Sequence, residues 1–324
     1  MPVSAEPAAG VTLADVLAAA RVLDGVAVRT PLVEVPALSE RAGVPVSLKC
    51  EQLQPVGAFK IRGAYNAVSR AAKAGARGIV TQSSGNHGQA IAYAARAFGL
   101  RAVVVMPGST PAIKVEGVRR HGGEVVLAGA VRSLEQQARA EAIEREEGLI
   151  LIPPFDHPDV VAGQGTCGLE LVEQRPDVDT VLVPVSGGGL LAGITVAVSA
   201  LRPSARIVAV EPAGAAKLSA ALAAGAPRTL ERTDSMADGL LTRSIGSFTF
   251  PIIQRVVREA IQVTEDEIAA AVRFLHRVAS LRVEPSGAVT TAAILAGRVS
   301  LAGPTVAVVS GGNVDPDLFH RLVE

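Results

Sequence analysis

The sequence predicts an α/β protein with parallel sheets flanked by helices. Short, near-continuous apolar runs rich in β-branched residues recur along the chain, and amphipathic segments of helical length separate them. Strands buried on both faces of a parallel sheet have that composition, and strand–helix–strand alternation requires right-handed crossovers. Apolar residues make up 49% and charged residues 19%, which excludes disorder as a description of the whole.

Residues 1–10 (MPVSAEPAAG) read as a loose tail, after which Thr12 precedes LADVLAAARVL with Asp15 in the first turn, the pattern of a capped helix. A short strand over 78–81 is followed by strands over 101–106 (RAVVVM) and 124–128 (EVVLA). Between the last two, Ser109-Thr110-Pro111 caps a helix that Gly122-Gly123 ends. Strands follow over 180–185 (TVLVPV) and 206–210 (RIVAV). Thr264-Glu265-Asp266-Glu267 is a capping box opening a helix over 265–280, and 305–309 (TVAVV) is the last strand.

The 324 residues suffice for one large domain or two ordinary ones. Lys+Arg and Asp+Glu are both 31, so no net field steers nucleic acid or anionic lipid. Two well-separated cysteines, Cys50 and Cys167, fit neither a disulfide framework nor a metal cluster and indicate a reducing, cytoplasmic setting. No apolar run reaches the ~20 residues of a membrane span, and the N-terminus lacks the basic start of a secretory signal.

Four motifs carry chemistry. Ser186-Gly187-Gly188-Gly189-Leu190 follows a strand and opens a helix, so successive N–H groups and the helix terminus can hold an anion. A tight turn alone would need fewer glycines. Gly187, Gly189 and Gly193 also approximate a dinucleotide fingerprint, with Glu211 about twenty residues on, which makes an NAD-binding oxidoreductase the alternative from a different class. In Gly57-Ala58-Phe59-Lys60-Ile61-Arg62-Gly63-Ala64 the lysine stands out, because only five of the 31 basic residues are lysines. A poorly hydrated lysine has a lowered pKa and forms Schiff bases, which arginine cannot do. Ser83-Ser84-Gly85-Asn86-His87-Gly88 offers hydroxyls, an amide and N–H groups suited to a carboxylate, beyond what a simple N-cap needs. Ser310-Gly311-Gly312-Asn313 follows the last strand. Three of the four motifs lie after predicted strands, where open α/β sheets bind ligands.

Together these residues resemble the serine/threonine dehydratase and serine racemase group of the fold type II (tryptophan synthase β-like) pyridoxal-phosphate enzymes. The resemblance covers roughly residues 12–315, through KCEQLQPVGAFKIRGA, SSGNHGQA, AGQGT, PVSGGGLLAG, Met236-Ala237-Asp238-Gly239, VTEDEI, EPSGA and VSGGNVD, in the family's order. It implies pyridoxal 5'-phosphate held by Lys60 as a Schiff base beside Phe59, with its phosphate on Ser186, Gly187, Gly188, Gly189 and Leu190. Ser310 would bond the pyridine nitrogen, Asn86 the ring hydroxyl, and Glu284 would lie near the ring. Ser83, Ser84, Gly85, Asn86 and His87 would take the substrate carboxylate, with Asp238 and Gly239 close to the substrate. A neutral serine at the pyridine nitrogen favours expulsion of a β-hydroxyl over transamination, and Lys60 would act as the general base at Cα. The implied activity is β-elimination from L-threonine or L-serine to a 2-oxo acid and ammonia.

Departures qualify this. Ala58 replaces the usual serine before Phe-Lys. Ser84, where plain threonine dehydratases commonly carry alanine, resembles the serine racemases and 3-hydroxyaspartate dehydratases and could protonate the opposite face of the carbanion as a second catalytic residue. Racemase-type members bind a divalent ion through a glutamate, a backbone carbonyl and an aspartate. Here Glu211 and the Ala215 carbonyl match, but the aspartate is Lys217, so no metal is expected and the ammonium is expected to pair with Glu211. Pro55-Val56 replaces a polar pair of the mammalian racemase's nucleotide site, so no ATP activation is expected. The architecture implied is two-lobed: residues 1–78 with 153–324 as the large cofactor-binding domain and 79–152 as an inserted small domain. A homodimer acting on a small amino acid, with no nucleic-acid or membrane partner, is expected.

Overall fold

A computed structural model describes residues 10–83, 85–110, 112–130 and 134–324. Its strands are β1 (Leu32–Glu34), β2 (Val46–Cys50), β3 (Gly78–Gln82), β4 (Arg101–Met106), β5 (Glu124–Leu127), β6 (Ile150–Leu151), β7 (Thr180–Pro184), β8 (Arg206–Pro212), β9 (Ala260–Val263) and β10 (Thr305–Val309). They form a six-stranded sheet in the order β1-β2-β10-β7-β8-β9 and a four-stranded sheet in the order β5-β4-β3-β6. Every pairing is parallel except β1 with β2. The four strands of the smaller sheet occupy one stretch of sequence between β2 and β7, as helical crossovers within a parallel sheet allow.

Alternation of side chains sorts the large sheet into two cores. Leu48, Cys50, Leu182, Val208, Val210, Ala307 and Val309 face one way, while Val181, Val183, Ile207, Ala209, Val306 and Val308 face the other. Both faces are covered, which is why these strands read as unbroken apolar runs. The register pairs Val309 with Cys50 and Pro184 with Val210, so the carboxyl ends of β2, β10, β7 and β8 finish at one edge. The loops carrying Lys60, Ser310 and the triple glycine leave from that edge.

The helix Lys60–Lys73 lies against the helix Pro158–Gln174. A Cβ built on Gly163 would meet the Gly63 Cα at 2.6 Å, so the two backbones approach too closely for larger residues at the crossing. Behind this crossing lies a buried ion cluster. Arg62 donates from Nε to Glu51 Oε2 (2.7 Å) and from its terminal nitrogens to Glu51 and Glu170, while Lys49 Nζ reaches Glu170 Oε2 at 2.6 Å. Two cations and two anions cancel, as burial requires.

The Thr12 and Thr264 capping boxes form. The helix expected over 265–280 is shorter, ending at Arg277. Val278 is its C-cap, and Ser280 takes φ +54 so that the Leu281 N–H can return to the Leu275 carbonyl. The chain needs a left-handed residue there to turn toward Glu284, and serine supplies it without a glycine. Of the cap expected at 109–111, Pro111 lies outside the described residues; the helix itself is Ala112–Arg120. Cys50 and Cys167 are free and buried. Among the described residues no helix is long and apolar enough to cross a membrane.

Candidate active site

Lys60 is the first residue of its helix, and the preceding turn is bound to the loop after β10. Ala58 bridges Gly311, the Phe59 N–H donates to the Ser310 carbonyl (3.1 Å), and the Gly312 N–H donates to the Gly57 carbonyl (2.9 Å). These three contacts hold Lys60 and Ser310 side by side. Lys60 Nζ donates to the Pro154 carbonyl at 2.7 Å, 5.1 Å from the Phe59 ring centroid. Burial pulls its pKa down to about 8, so a sizeable neutral fraction exists near physiological pH.

The next residue, Phe155, backs the glycine loop. A Cβ on Gly187 would overlap the Phe155 ring, one on Gly189 would lie 3.0 Å from the Phe155 Cβ, and Gly188 has φ +97, where an L side chain is strained. The Gly187 carbonyl accepts from the Gly246 N–H (3.1 Å) and Thr249 Oγ1 (2.8 Å). Those bonds fix the loop's orientation, and the N–H groups of the loop and of the first turn of the helix Gly189–Leu201 are donors suited to an anion. Ser186 Oγ donates to Thr242 Oγ1 (3.2 Å), and Leu190 is buried. Asp156 fixes the opposing wall by accepting the N–H groups of Ser247, Phe248 and Thr249.

On the other side of Lys60, Asn86 Nδ2 donates to Glu284 Oε1 (2.9 Å) and Asn86 Oδ1 accepts from Asn313 Nδ2 (2.8 Å). Burial, reinforced by the Asp238 charge, pushes the Glu284 carboxyl up to about 8, which leaves it mainly protonated at neutral pH. Ser83 Oγ accepts from the Gly85 and Gly88 N–H groups, at 3.3 and 3.1 Å. His87 is buried with Nε2 3.3 Å from the Ile152 carbonyl. Burial and then the nearby Lys60 charge lower its pKa to about 3, so it is a neutral imidazole. Gly239 donates its N–H to Ser286 Oγ (2.9 Å), and Asp238 pairs with Lys114 across the site. Ser84, expected as a catalytic and substrate-binding residue, lies outside the described residues.

Pyridoxal phosphate fits this donor set. A lysine of lowered pKa can hold an aldehyde, glycine N–H groups too crowded for side chains can cradle a phosphate, and the buried Ser310 hydroxyl can offer a neutral partner to a ring nitrogen. Dinucleotide binding fits less well. Glu211, which would take the ribose, is fully buried and accepts from the N–H groups of Leu218 (2.9 Å) and Ser219 (2.8 Å) and from Ser219 Oγ (2.7 Å). A divalent ion does not fit beside Glu211 either. Lys217 Nζ fills that position, 2.8 Å from the Ala215 carbonyl, 3.0 Å from the Val185 carbonyl and 3.7 Å from Glu211 Oε2.

Several contributors carry no reading in the sequence: the Pro154 carbonyl, Phe155, Asp156, Thr249 and Lys114. Asn313 falls within the motif after the last strand, and Phe155-Asp156 directly follows Pro153-Pro154, the only local signal of that turn.

A fold of two parallel sheets with this lysine, glycine cradle and serine defines a cofactor-dependent enzyme. The family model described as pyridoxal-phosphate dependent enzyme matches residues 23–311, and the chain belongs to that family. Within it, the chain is 44% identical to an L-threonine ammonia-lyase of Geobacter sulfurreducens, over 91% of this chain and 74% of the relative. It is 39% identical to a serine racemase of Arabidopsis thaliana, over 89% of this chain and 88% of the relative. Maize serine racemase superposes with a TM-score of 0.92 at 35% identity, covering 96% of both chains. A threonine deaminase from T.th. superposes at 0.89 with 40% identity, covering 94% of this chain and 99% of that one.

Proposed function

We propose that this protein is a pyridoxal-phosphate-dependent ammonia-lyase that eliminates water from L-threonine or L-serine, releasing a 2-oxo acid and ammonia. The observation that carries the reading is Lys60, held on the Pro154 carbonyl with a lowered pKa and tied through Phe59 to Ser310. When bound, pyridoxal phosphate supplies the electron sink that lets the Cα–H bond break.

The chain's own residues do the rest. Lys60 Nζ would hold the cofactor and serve as the base for the Cα proton; its depressed pKa suits that task near neutrality. The loop from Ser186 to Leu190 holds the phosphate. Ser310 presents a hydroxyl rather than a charge to the ring nitrogen. Asn86, fixed between Glu284 and Asn313, would bond the ring hydroxyl. Ser83, Ser84, Gly85 and His87 receive the carboxylate, and a neutral His87 adds no competing charge. Asp238 and Gly239 close the substrate side.

A second reading, racemisation, rests on the sequence: a serine at position 84 matches the racemase-type pattern, and a serine racemase is among the relatives. Residues 1–78 with 153–324 would form the cofactor lobe and 79–152 the small lobe of a cytoplasmic homodimer.

The test is the visible spectrum of the purified protein before and after borohydride, beside Lys60→Ala. A yellow band lost on reduction and absent from the variant is expected, with 2-oxo acid released from threonine or serine. A protein that takes up no pyridoxal phosphate refutes the reading. Chiral analysis of recovered serine separates elimination from racemisation.

A further inference from the structure

Lys217 is one of the most thoroughly buried ionisable groups in the molecule, with no exposed side-chain surface, and Glu211 opposite it has none either. Burying an ammonium is costly unless its donors are satisfied. Here Nζ donates to the carbonyls of Ala215 and Val185, 2.8 and 3.0 Å away, with the Glu211 carboxylate 3.7 Å off. Two carbonyl oxygens and one carboxylate oxygen around a positive centre make the oxygen-rich environment that hard divalent ions select. The carboxylate is held in turn by the Leu218 and Ser219 N–H groups and Ser219 Oγ.

Position gives the cluster its consequence. Val185 immediately precedes Ser186 and the glycine cradle, and its N–H is bonded to Val210 of β8 (2.9 Å). The ammonium therefore ties the root of the phosphate loop to the segment after β8. Among the described residues no group of three or more His, Cys, Asp or Glu side chains could hold a metal.

We propose that the Lys217 ammonium is a built-in substitute for a divalent cation, bracing the phosphate loop from beneath and making this protein indifferent to Mg²⁺. An acidic or small residue at position 217 then reopens a cation site formed by Glu211 and the Ala215 and Val185 carbonyls. The inference does not depend on which amino acid the enzyme consumes.

The test compares wild type, Lys217→Asp and Lys217→Ser by Mn²⁺ electron paramagnetic resonance and by thermal melting with EDTA or Mg²⁺. Wild type is expected to leave the free-Mn²⁺ signal and its Tm unchanged. Lys217→Asp is expected to bind about one more Mn²⁺ than wild type and to gain about 4 °C in Tm with Mg²⁺ at a hundred times its Kd. Lys217→Ser is expected to melt below wild type and recover partly with Mg²⁺. The proposal is overturned if Mg²⁺ raises the wild-type Tm and EDTA reverses it. It is equally overturned if neither variant gains cation binding, or if neither folds even with Mg²⁺ present.

Discussion

Replacing Arg62 by methionine tests the buried ion cluster on which the Lys60 helix rests. Methionine approximates the aliphatic stem but removes the guanidinium, which makes bonds of 2.7 to 2.9 Å to both oxygens of Glu51 and both of Glu170. Glu51 has no exposed side-chain surface and would keep only Thr30 and Gln54 as side-chain partners. Lys49 would be left beside the buried Glu51 carboxylate and the partly buried Glu170 carboxylate. Breaking a buried pair from one side costs about 3–5 kcal/mol. For 324 residues, an unfolding entropy of about 2.1 cal/mol/K per residue converts this into a Tm lowered by about 4–7 °C. Denaturant titration and thermal melting of wild type, Arg62→Met, Glu51→Gln and the double variant form a cycle. Since the double variant restores charge balance between Lys49 and Glu170, it should be more stable than Arg62→Met alone. A loss below about 1 kcal/mol for Arg62→Met, or a double variant as unstable as the sum of the singles, refutes the electrostatic account. The pH dependence has a fixed sign. Burial opposes ionisation of Glu51, but Arg62 outweighs it and holds the carboxyl below its usual range. This stabilisation is therefore complete above the ordinary glutamate pKa and is lost as pH falls.

Gly187→Ala places a methyl against the Phe155 ring, and pyridoxal phosphate affinity, followed by fluorescence titration, should fall at least tenfold. Unchanged affinity would mean the glycine is not there to keep the cradle clear. Glu284 supplies a second pH signature. Because its folded pKa is raised from 4.5 to about 8, the cofactor-free protein loses stability as pH rises through that interval, by at most about 5 kcal/mol. Glu284→Gln should flatten the decline relative to wild type between pH 5 and 8, measured by melting. Asp156→Ala removes three N–H acceptor contacts at the start of the helix Thr249–Gln254. It should cost about 1–2 kcal/mol, and Thr249 should loosen its hold on the Gly187 carbonyl, seen as faster cofactor loss on dialysis.

Much of the fold was legible because burial on both faces leaves a simple signature. The strands 101–106, 180–185 and 305–309 read as unbroken apolar runs for that reason. β2 lacks that signature, since VSLKC carries a lysine and a serine mid-run; the lysine is tolerated because Glu170, Gln174 and the Thr30 carbonyl, all distant in sequence, meet it. β1 and β9 are edge strands, and β6 is two residues long. At the site, glycine runs and a rare lysine among small neighbours were readable because their chemistry demands those residues. Backbone carbonyls such as that of Pro154 carry no sequence signature at all. The pairing of Lys114 with Asp238 depends on how the chain returns on itself, which local composition does not encode.

The small ladder joining residues 57–59 to 310–312 has a consequence for biosynthesis. Lys60 and Ser310 are 250 positions apart in the chain, so at 5–20 residues per second roughly 12 to 50 seconds separate their appearance during synthesis. Throughout that interval the nucleophilic amine exists without its neighbour, and β10 has yet to enter between β2 and β7. The site is thus a closure of high contact order, completed after most of the chain is made. Cofactor capture then follows insertion of a central strand, and a chain that has gained its colour has already finished threading its sheet.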